Sequence, residues 1–151
     1  MTAIDVEIKG LEETQRATEK IVRDLRGEPF LNGMRKATLL VQRSAKQKAP
    51  VDTGRLRASI TPVVRAHGND VWGVVGSNVK YAPFQELGTK PHFVSAANIG
   101  KWAERHGFGY TGIKVTGTPH PFLQPAIEEN EQKIVSILGD TVAQIIDRST
   151  D

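Results

Sequence analysis

Apolar and polar residues follow regular spacings along most of the chain, and these spacings predict its elements. Alternation over residues 3–9 predicts a short strand with one buried face. Apolar residues at helical spacing over residues 11–25, ended by Gly27, predict a first helix. A second helical pattern covers residues 34–48 and must stop there, because Pro50 disfavours helical geometry in the residue before it.

The stretch "APVDTGRLRASI" predicts a turn followed by extended chain. Asp52 can accept backbone N–H bonds in an Asx turn, Thr53 can support it, and Gly54 can take a positive φ. The run that follows, together with "DVWGVVGS" after the turn "HGND", predicts an antiparallel hairpin. In this hairpin Arg55 and Arg57 share the exposed face.

The segment "YAPFQELGT" predicts a short helical turn capped by Gly88, with Tyr81, Phe84 and Leu87 facing inward. The composition then changes, and residues 89–120 are rich in glycine and proline, with one helical island, "AANIGKWAERHG". We interpret this part as a loop insertion that is functional or ordered by a partner.

The last apolar residues recur at helical spacing and predict a long helix from Pro125 to Asp147, with Gly139-Asp140 as a place where it could break. Together the patterns predict a single α+β domain over residues 1–151. An antiparallel sheet, made of the N-terminal strand plus the hairpin, would pack against long helices that include the C-terminal one.

Composition narrows the class of protein. The chain has 151 residues and no cysteine, so disulfides and thiolate metal sites are excluded. No apolar run approaches the ~20 residues of a membrane span, and the N-terminus lacks the basic and apolar regions of a signal peptide. We therefore expect a soluble intracellular product with no membrane partner.

The net charge of +3 is unevenly distributed. Residues 35–65 hold eight basic side chains against Asp52 alone, whereas residues 128–151 hold six acids against two bases. This separation allows head-to-tail attraction between copies, or a basic face turned towards nucleic acid. Two ordinary solvated faces are the alternative.

Searches for catalytic spacing give weak results. "GFGYTG" at Gly107–Gly112 matches the dinucleotide fingerprint formally, but a helical pattern precedes it where a strand is needed, so a flexible loop is the better interpretation. The histidines share no i, i+3 or i, i+4 spacing, so zinc is not indicated; they are His67, His92, His106 and His120.

Two acids in turn-like segments, Asp52 and Glu86, could form a carboxylate pair across the fold. A turn role for Asp52 and a salt bridge from Glu86 to a basic residue of the same or a neighbouring chain are the simpler interpretations. The dense basic segment lacks interleaved aromatic residues, so any binding of nucleic acid would be weak, non-specific and salt-sensitive.

Three blocks occur together and in order: "APVDTGRLRASI", "VVGSNVKYAPFQELGT" and "PHPFLQPAIEENEQKI". In these blocks the chain resembles the tailed-bacteriophage proteins called head–tail connector, neck or tail-completion proteins. The resemblance implies a non-enzymatic virion component without a cofactor, made in the bacterial host cytoplasm. It also implies a homo-oligomeric ring at the head–tail junction, in contact with other neck and tail proteins, with DNA passing non-specifically through its lumen.

On this resemblance we assign two groups of residues. The turn, or joint, comprises Asp52, Thr53, Gly54 and Gly88. Subunit-interface or DNA-channel positions are Arg55, Arg57, Glu86, Lys46 and Lys48.

Three other functions stay open. A tail terminator or head-closure ring protein is the nearest, and a basic accessory protein that binds nucleic acid non-specifically is another. A small hydrolase would need Asp52, Glu86 or His92 in a pocket of convergent polar groups. We assign no catalytic, cofactor-binding or metal-binding residue.

Overall fold

The computed structural model describes residues 10–107 and 112–150, and these form an α+β fold, as predicted. The helices are α1 (Leu11–Arg26), α2 (Glu28–Lys48), α3 (Arg55–Ser59), α4 (Ala82–Leu87), α5 (Ala96–Arg105), α6 (Leu123–Glu128) and α7 (Glu131–Thr150). The strands are β1 (Ile60–His67), β2 (Asp70–Ser77), β3 (His92–Val94) and β4 (Ile113–Val115). The strand predicted at residues 3–9 lies outside the described residues. None of these helices is both long and apolar enough to cross a membrane.

Helix α2 is the central element, because α1, α6, α7 and the hairpin all pack on it. It begins at Glu28, six residues earlier than predicted, with Pro29 in its first turn. Proline is favoured there because the first helical N–H groups have no partner within the helix. The Asn32-Gly33 pair therefore lies inside α2.

The buried Gly33 marks the place where α2 crosses α7. A Cβ atom at this position would lie 2.4 Å from Oγ1 of Thr141 and 3.0 Å from its Cβ. Any side chain at residue 33 would separate the two helices, so glycine serves close packing here.

The predicted hairpin is confirmed over residues 60–77. Strands β1 and β2 pair antiparallel from Ile60 opposite Ser77 to His67 opposite Asp70. The face that contains Gly73 lies against α2, since a Cβ atom there would meet Thr38 at 2.7 Å. The opposite face points away from α2.

Residues 55–59 form the short helix α3, so the prediction that the hairpin begins at Arg55 is wrong. Gly54 precedes the helix in the left-handed conformation, and its carbonyl accepts the N–H of Ala58 at 2.9 Å. Leu56 is buried, whereas Arg55, Arg57 and Ala58 are exposed. In a helical turn only Leu56 faces the core. In an extended chain every second residue would have faced the core, so that Ala58 would have been buried together with Leu56.

The core lies between α2, the start of the hairpin and the chain before α6. Small residues on α2 let these segments approach, and Ile60 and Phe122 are completely buried against them. The core residues are Val41, Ala45, Ala49, Leu56, Ile60, Ala82, Phe122 and Ala126.

The short helix predicted before Gly88 is confirmed as α4, but its orientation is not. Tyr81, Phe84 and Leu87 were expected to face inward and are instead exposed, Leu87 by 77%. The inward residue is Ala82, which joins the core. A helix of six residues buries one narrow stripe, and the small alanine occupies it.

Residues 89–120 contain regular structure and are more than a loop. Strands β3 and β4 pair antiparallel, and α5 lies between them in the chain. The predicted helical island is confirmed by α5, in which Ala103 is buried. The base of this insertion is closed by backbone hydrogen bonds, from Thr89 N–H to the Gly117 carbonyl at 2.9 Å and from His120 N–H to the Gln85 carbonyl at 2.7 Å.

The predicted long C-terminal helix is confirmed as α7, but the segment that starts at Pro125 is divided from it as the short helix α6. The division falls between α6 and α7, where the buried Asn130 side chain donates to the Ala126 carbonyl at 2.8 Å. Such a local side-chain bond competes with regular helical pairing. Gly139-Asp140 lies within α7 and does not interrupt it.

Candidate functional site

The turn between α2 and α3 is set by Gly54. Its φ of 79° and ψ of −3° lie in the left-handed region that side chains with a Cβ disfavour. No heavy atom lies within 4 Å of the position that its Cβ would take. Glycine is therefore required here by backbone conformation and not by lack of space.

The Asp52 carboxylate joins this turn to the insertion. Its Oδ2 accepts the indole N–H of Trp102 at 3.2 Å, and its Oδ1 lies 3.4 Å from Nε2 of His106. The Trp102 and His106 rings stack with their centroids 4.5 Å apart and their planes 17° from parallel. Both carboxylate oxygens thus contact α5 and the residue after it, whereas the Asx-turn interpretation had them accept backbone N–H groups of their own turn.

A shallow cleft of about 280 Å³ lies beside this contact. Residues of the turn form one wall, and Arg55, Tyr81, Gln85 and Trp102 contribute the others. The joint is therefore a place where α2, α3, α4 and the insertion meet. A contact made here can couple the insertion to the core.

Glu86 holds a second junction. Its Oε2 accepts the backbone N–H groups of Phe122 at 2.8 Å and Leu123 at 2.9 Å, and its Oε1 accepts that of Gln124 at 2.8 Å. These donors are the N–H groups at the start of α6, which have no partner within that helix. Glu86 therefore caps α6 from a distant part of the chain, and it forms no salt bridge to a basic residue among residues 10–107 and 112–150. A salt bridge from Glu86 to a neighbouring chain stays a prediction.

The capping contacts set the ionisation of Glu86. Burial would raise the pKa of its carboxyl group, but the hydrogen bonds from Leu123, Phe122 and Gln124 lower it further than burial raises it. The net shift is downward from the ordinary value of 4.5. Glu86 is thus held as a carboxylate whose oxygens accept backbone N–H groups of its own chain. Its assignment to a subunit interface or DNA channel stays a prediction.

Gly88 lies at the end of α4 with a φ of 76° and a ψ of −178°, a conformation that is essentially restricted to glycine. A Cβ atom here would also lie 2.4 Å from the Gly117 carbonyl oxygen. Gly88 therefore lets the two ends of the insertion approach each other.

The basic residues assigned to an interface divide into two groups. Lys48 pairs with Glu129 of its own chain, with Nζ 2.6 Å from Oε1, and so ties the end of α2 to the α6–α7 connection. Lys46 is half-buried in the last turn of α2. Arg55 and Arg57 are exposed on α3, and neither forms an ion pair within residues 10–107 and 112–150.

The residues considered for chemistry are not brought into one site. Asp52 and Glu86 each contact a different part of the insertion and its base. His92 and His120 line a cleft of about 550 Å³ with Phe84 and Thr89. In the part of the chain that the structure describes, no three histidine or acidic side chains are placed to share a metal ion. Most of "GFGYTG" lies outside the described residues.

Sequence reasoning missed the partners of both acids. Trp102 and His106 are four residues apart on the helical island, which places them on one helix face, and that spacing was an available signal. Phe122, Leu123 and Gln124 act through backbone N–H groups, which a sequence pattern does not distinguish.

The chain was compared with known proteins and families. No curated protein and no solved structure gives a significant match. One family matches residues 12–88, and its description reads "Bacteriophage HK97-gp10, putative tail-component". The matched segment covers more than half of the chain, from α1 through the turn at Gly54 and the hairpin to Gly88, and ends before residues 89–120. The chain therefore belongs to the HK97-gp10-like family.

Proposed function

We propose that this chain is a non-enzymatic structural protein of a bacteriophage particle, located at the neck, where identical copies form a ring between head and tail. The observation that carries the proposal is membership of a family described as a phage tail component. The order of the three sequence blocks supports the more specific place at the head–tail junction.

The distribution of charge supports self-assembly. Helix α3 and β1 belong to the basic part of the chain, and α7 belongs to the acidic part. A ring is closed by a heterologous contact, in which one surface of each copy meets a different surface of the next. Two surfaces of opposite charge on one chain suit this geometry, since like surfaces would repel.

The exposed Arg55 and Arg57 extend from a short helix that is fixed to the core. Leu56, the residue between Arg55 and Arg57, is buried in the core, and Gly54 fixes the direction in which α3 leaves the turn. The two guanidinium groups thus extend from a short helix anchored at its centre. We propose that they contact a neighbouring copy or the DNA that passes through the lumen.

Particle assembly tests this function. A phage that lacks this chain should accumulate heads and tails that do not join into infectious particles, and supplying the chain in trans should restore joining. Normal particles in its absence would contradict the proposal. Overlong tails would favour a tail terminator, and heads that lose their DNA would favour a head-closure protein.

Non-specific binding of nucleic acid is the second candidate, favoured by the exposed Arg55 and Arg57. Such an accessory protein would bind duplex DNA as a monomer, with an affinity that falls steeply with added salt. A ring component should bind duplex DNA poorly before it assembles. Binding measured at two salt concentrations, with the oligomeric state recorded in parallel, separates the two functions.

A further inference from the structure

The outer face of the β1–β2 hairpin exposes three large apolar side chains at its middle, where a solvated face would be polar. Trp72 is 60% exposed, Val74 56% and Val63 42%. Val63 lies directly opposite Val74, and Arg65 lies directly opposite Trp72, so the four side chains form one continuous patch. We name these four residues the hairpin patch.

The other face of the hairpin already has a partner within the chain. Gly73 and Val75 face the core side, where β1 and β2 pack on α2. A hairpin covered on one side normally alternates apolar residues inside with polar residues outside. Here the outer face carries three large apolar residues next to one another, beside Arg65, and an exposed apolar cluster of this kind marks a site of association.

The hairpin also leaves strand edges open. In the described part of the chain the sheet consists of β1 and β2 alone, and the second sheet, β3–β4, pairs with neither of them. The hairpin already packs on α2 through its inner face, and a partner on the hairpin patch would cover its outer face as well.

We propose that the hairpin patch docks on α7 of a second copy of this chain. Helix α7 carries a stripe of apolar and small residues at positions i, i+4, i+7 and i+11, which are Val135, Gly139, Val142 and Ile146; Val142 is half-buried and the other three are exposed. Val135 is 65% exposed, and no atom lies within 4 Å of the position that a Cβ on Gly139 would take. The stripe therefore presents open apolar surface on which a large side chain such as Trp72 can pack.

Charge favours this occupant over a second hairpin patch. Arg65 gives the patch a positive charge, and it is part of the strongly basic segment. Helix α7 holds three acids against two basic residues, and the exposed Glu131 lies one turn before Val135 of the stripe. Two hairpin patches placed face to face would bring two Arg65 side chains together, whereas a patch on α7 places Arg65 near acids.

This contact is heterologous, because the hairpin of one copy meets α7 of the next. It leaves a free α7 at one end of a pair and a free hairpin at the other, so that further copies add until a ring closes. The inference rests on the proposed function only in requiring that the chain assembles with itself.

Site-directed crosslinking tests the contact, since the chain contains no cysteine of its own. We expect the doubly substituted Val74→Cys, Val135→Cys chain, treated with a short bismaleimide at the protein concentration that gives assembly, to form a ladder of covalent oligomers. Each singly substituted chain should remain uncrosslinked. Both positions are exposed, so neither change disturbs the core.

Other outcomes overturn the docking. Dimers from Val74→Cys alone would mean that two hairpins meet each other. Assembly of the double variant without any covalent ladder would mean that another surface holds the copies together, and the proposed ring function would survive. A chain that stays monomeric both in solution and in particles would contradict the ring and the docking together.

A second measurement does not depend on crosslinking. Trp72→Ala combined with Val74→Ala should weaken self-association at least about tenfold, because large buried aromatic side chains dominate interfaces. The matched control is Leu87→Ala combined with Phe93→Ala, two residues that are as exposed but lie outside the patch. Equal weakening by both pairs would overturn the assignment.

Discussion

The carboxylate of Glu86 accepts the backbone N–H of Phe122, 36 positions further along the chain, at 2.8 Å. Phe122 is completely buried in the core, and Glu86 lies in α4 just before the insertion begins. The contact therefore closes the insertion at its base and fixes the start of α6 in one step. The family match ends at Gly88, so this contact joins the matched segment to the chain beyond it.

Replacing the Glu86 carboxylate tests whether its contact with the start of α6 stabilises the fold. Glu86→Gln keeps the shape of the side chain but removes its charge and one acceptor, so we expect a loss of about 1–3 kcal/mol in the free energy of unfolding at neutral pH. Chemical denaturation measures it. The matched control is Glu104→Gln, an exposed acid on α5 whose replacement should leave stability unchanged.

The same variant has a predicted pH dependence. The pKa of Glu86 is lower in the folded protein than its ordinary value of 4.5, so its contribution is complete above that pH and is lost as pH falls through the folded pKa. The stability difference between wild type and Glu86→Gln should therefore shrink on acidification below pH ~4.5. A difference that stays constant down to pH ~3 would contradict the capping role.

The crossing of α2 and α7 predicts opposite effects for two helical glycines. Gly33→Ala forces a methyl group against Thr141, and we expect it to destabilise the protein by about 1–3 kcal/mol. Gly139→Ala meets open space in α7 and should stabilise it by about 0.5–1 kcal/mol, because alanine is the better helix former. Thermal unfolding of both variants at low protein concentration measures the two changes in stability. Equal changes for Gly33→Ala and Gly139→Ala would contradict the close crossing of α2 and α7.

The joint predicts a graded response at Gly54. Gly54→Val should cost about 1–2 kcal/mol, since a β-branched residue is strained at a φ of 79°. Gly54→Asn should cost less, because asparagine tolerates the left-handed region. No atom lies within 4 Å of the Cβ position at residue 54, so the size of the new side chain does not explain why Gly54→Val should cost more stability than Gly54→Asn. Equal melting temperatures for the two variants would show that the turn can relax.

The contact of Asp52 with Trp102 and His106 predicts a local effect. Asp52→Ala should speed amide hydrogen exchange in residues 96–106 by about fivefold, with little change in global stability, because partly exposed contacts contribute about 1 kcal/mol or less. Asp70→Ala, at the hairpin turn, is the control and should leave that segment unchanged. Unaltered exchange in α5 after Asp52→Ala would mean that other contacts hold the insertion.

The exposed arginines predict a defect in assembly without a defect in folding. Arg55→Ala combined with Arg57→Ala should leave the melting temperature within about 1 °C of wild type, since neither side chain packs in the core. It should lower the fraction of oligomer in sedimentation, or the retention of packaged DNA in particles. Lys101→Ala combined with Arg105→Ala, which replaces two exposed basic residues on α5, is a control of equal charge change. Wild-type sedimentation and retention would remove the role of α3.

The hairpin and the long helices could be predicted because their residues repeat over several turns or pairs. Alternation around "HGND" specifies β1 and β2, and helical spacing specifies α1, α2 and α7. The short helix α3 could not be predicted, because its residues do not repeat over several turns or pairs. Five residues, as in α3, give too little repetition to separate a helical turn from a strand, and burial of Leu56 alone decided the outcome.

The candidate site was only partly accessible from sequence. The positive φ of Gly54 follows from turn chemistry, which is local. The partners of Asp52 and Glu86 come from residues 36 to 54 positions away, and they depend on how the insertion folds back. Three of the groups that Glu86 binds are backbone N–H groups, which every non-proline residue carries.

The central claim is that copies of this chain form a ring at the neck of a phage particle. Electron cryomicroscopy of intact particles, with this chain located by a C-terminal tag, tests it most directly. We predict a closed ring of tagged copies between head and tail, with the β1–β2 hairpin of each copy against α7 of its neighbour. Particles that carry the tag elsewhere, or no tag, would contradict the claim.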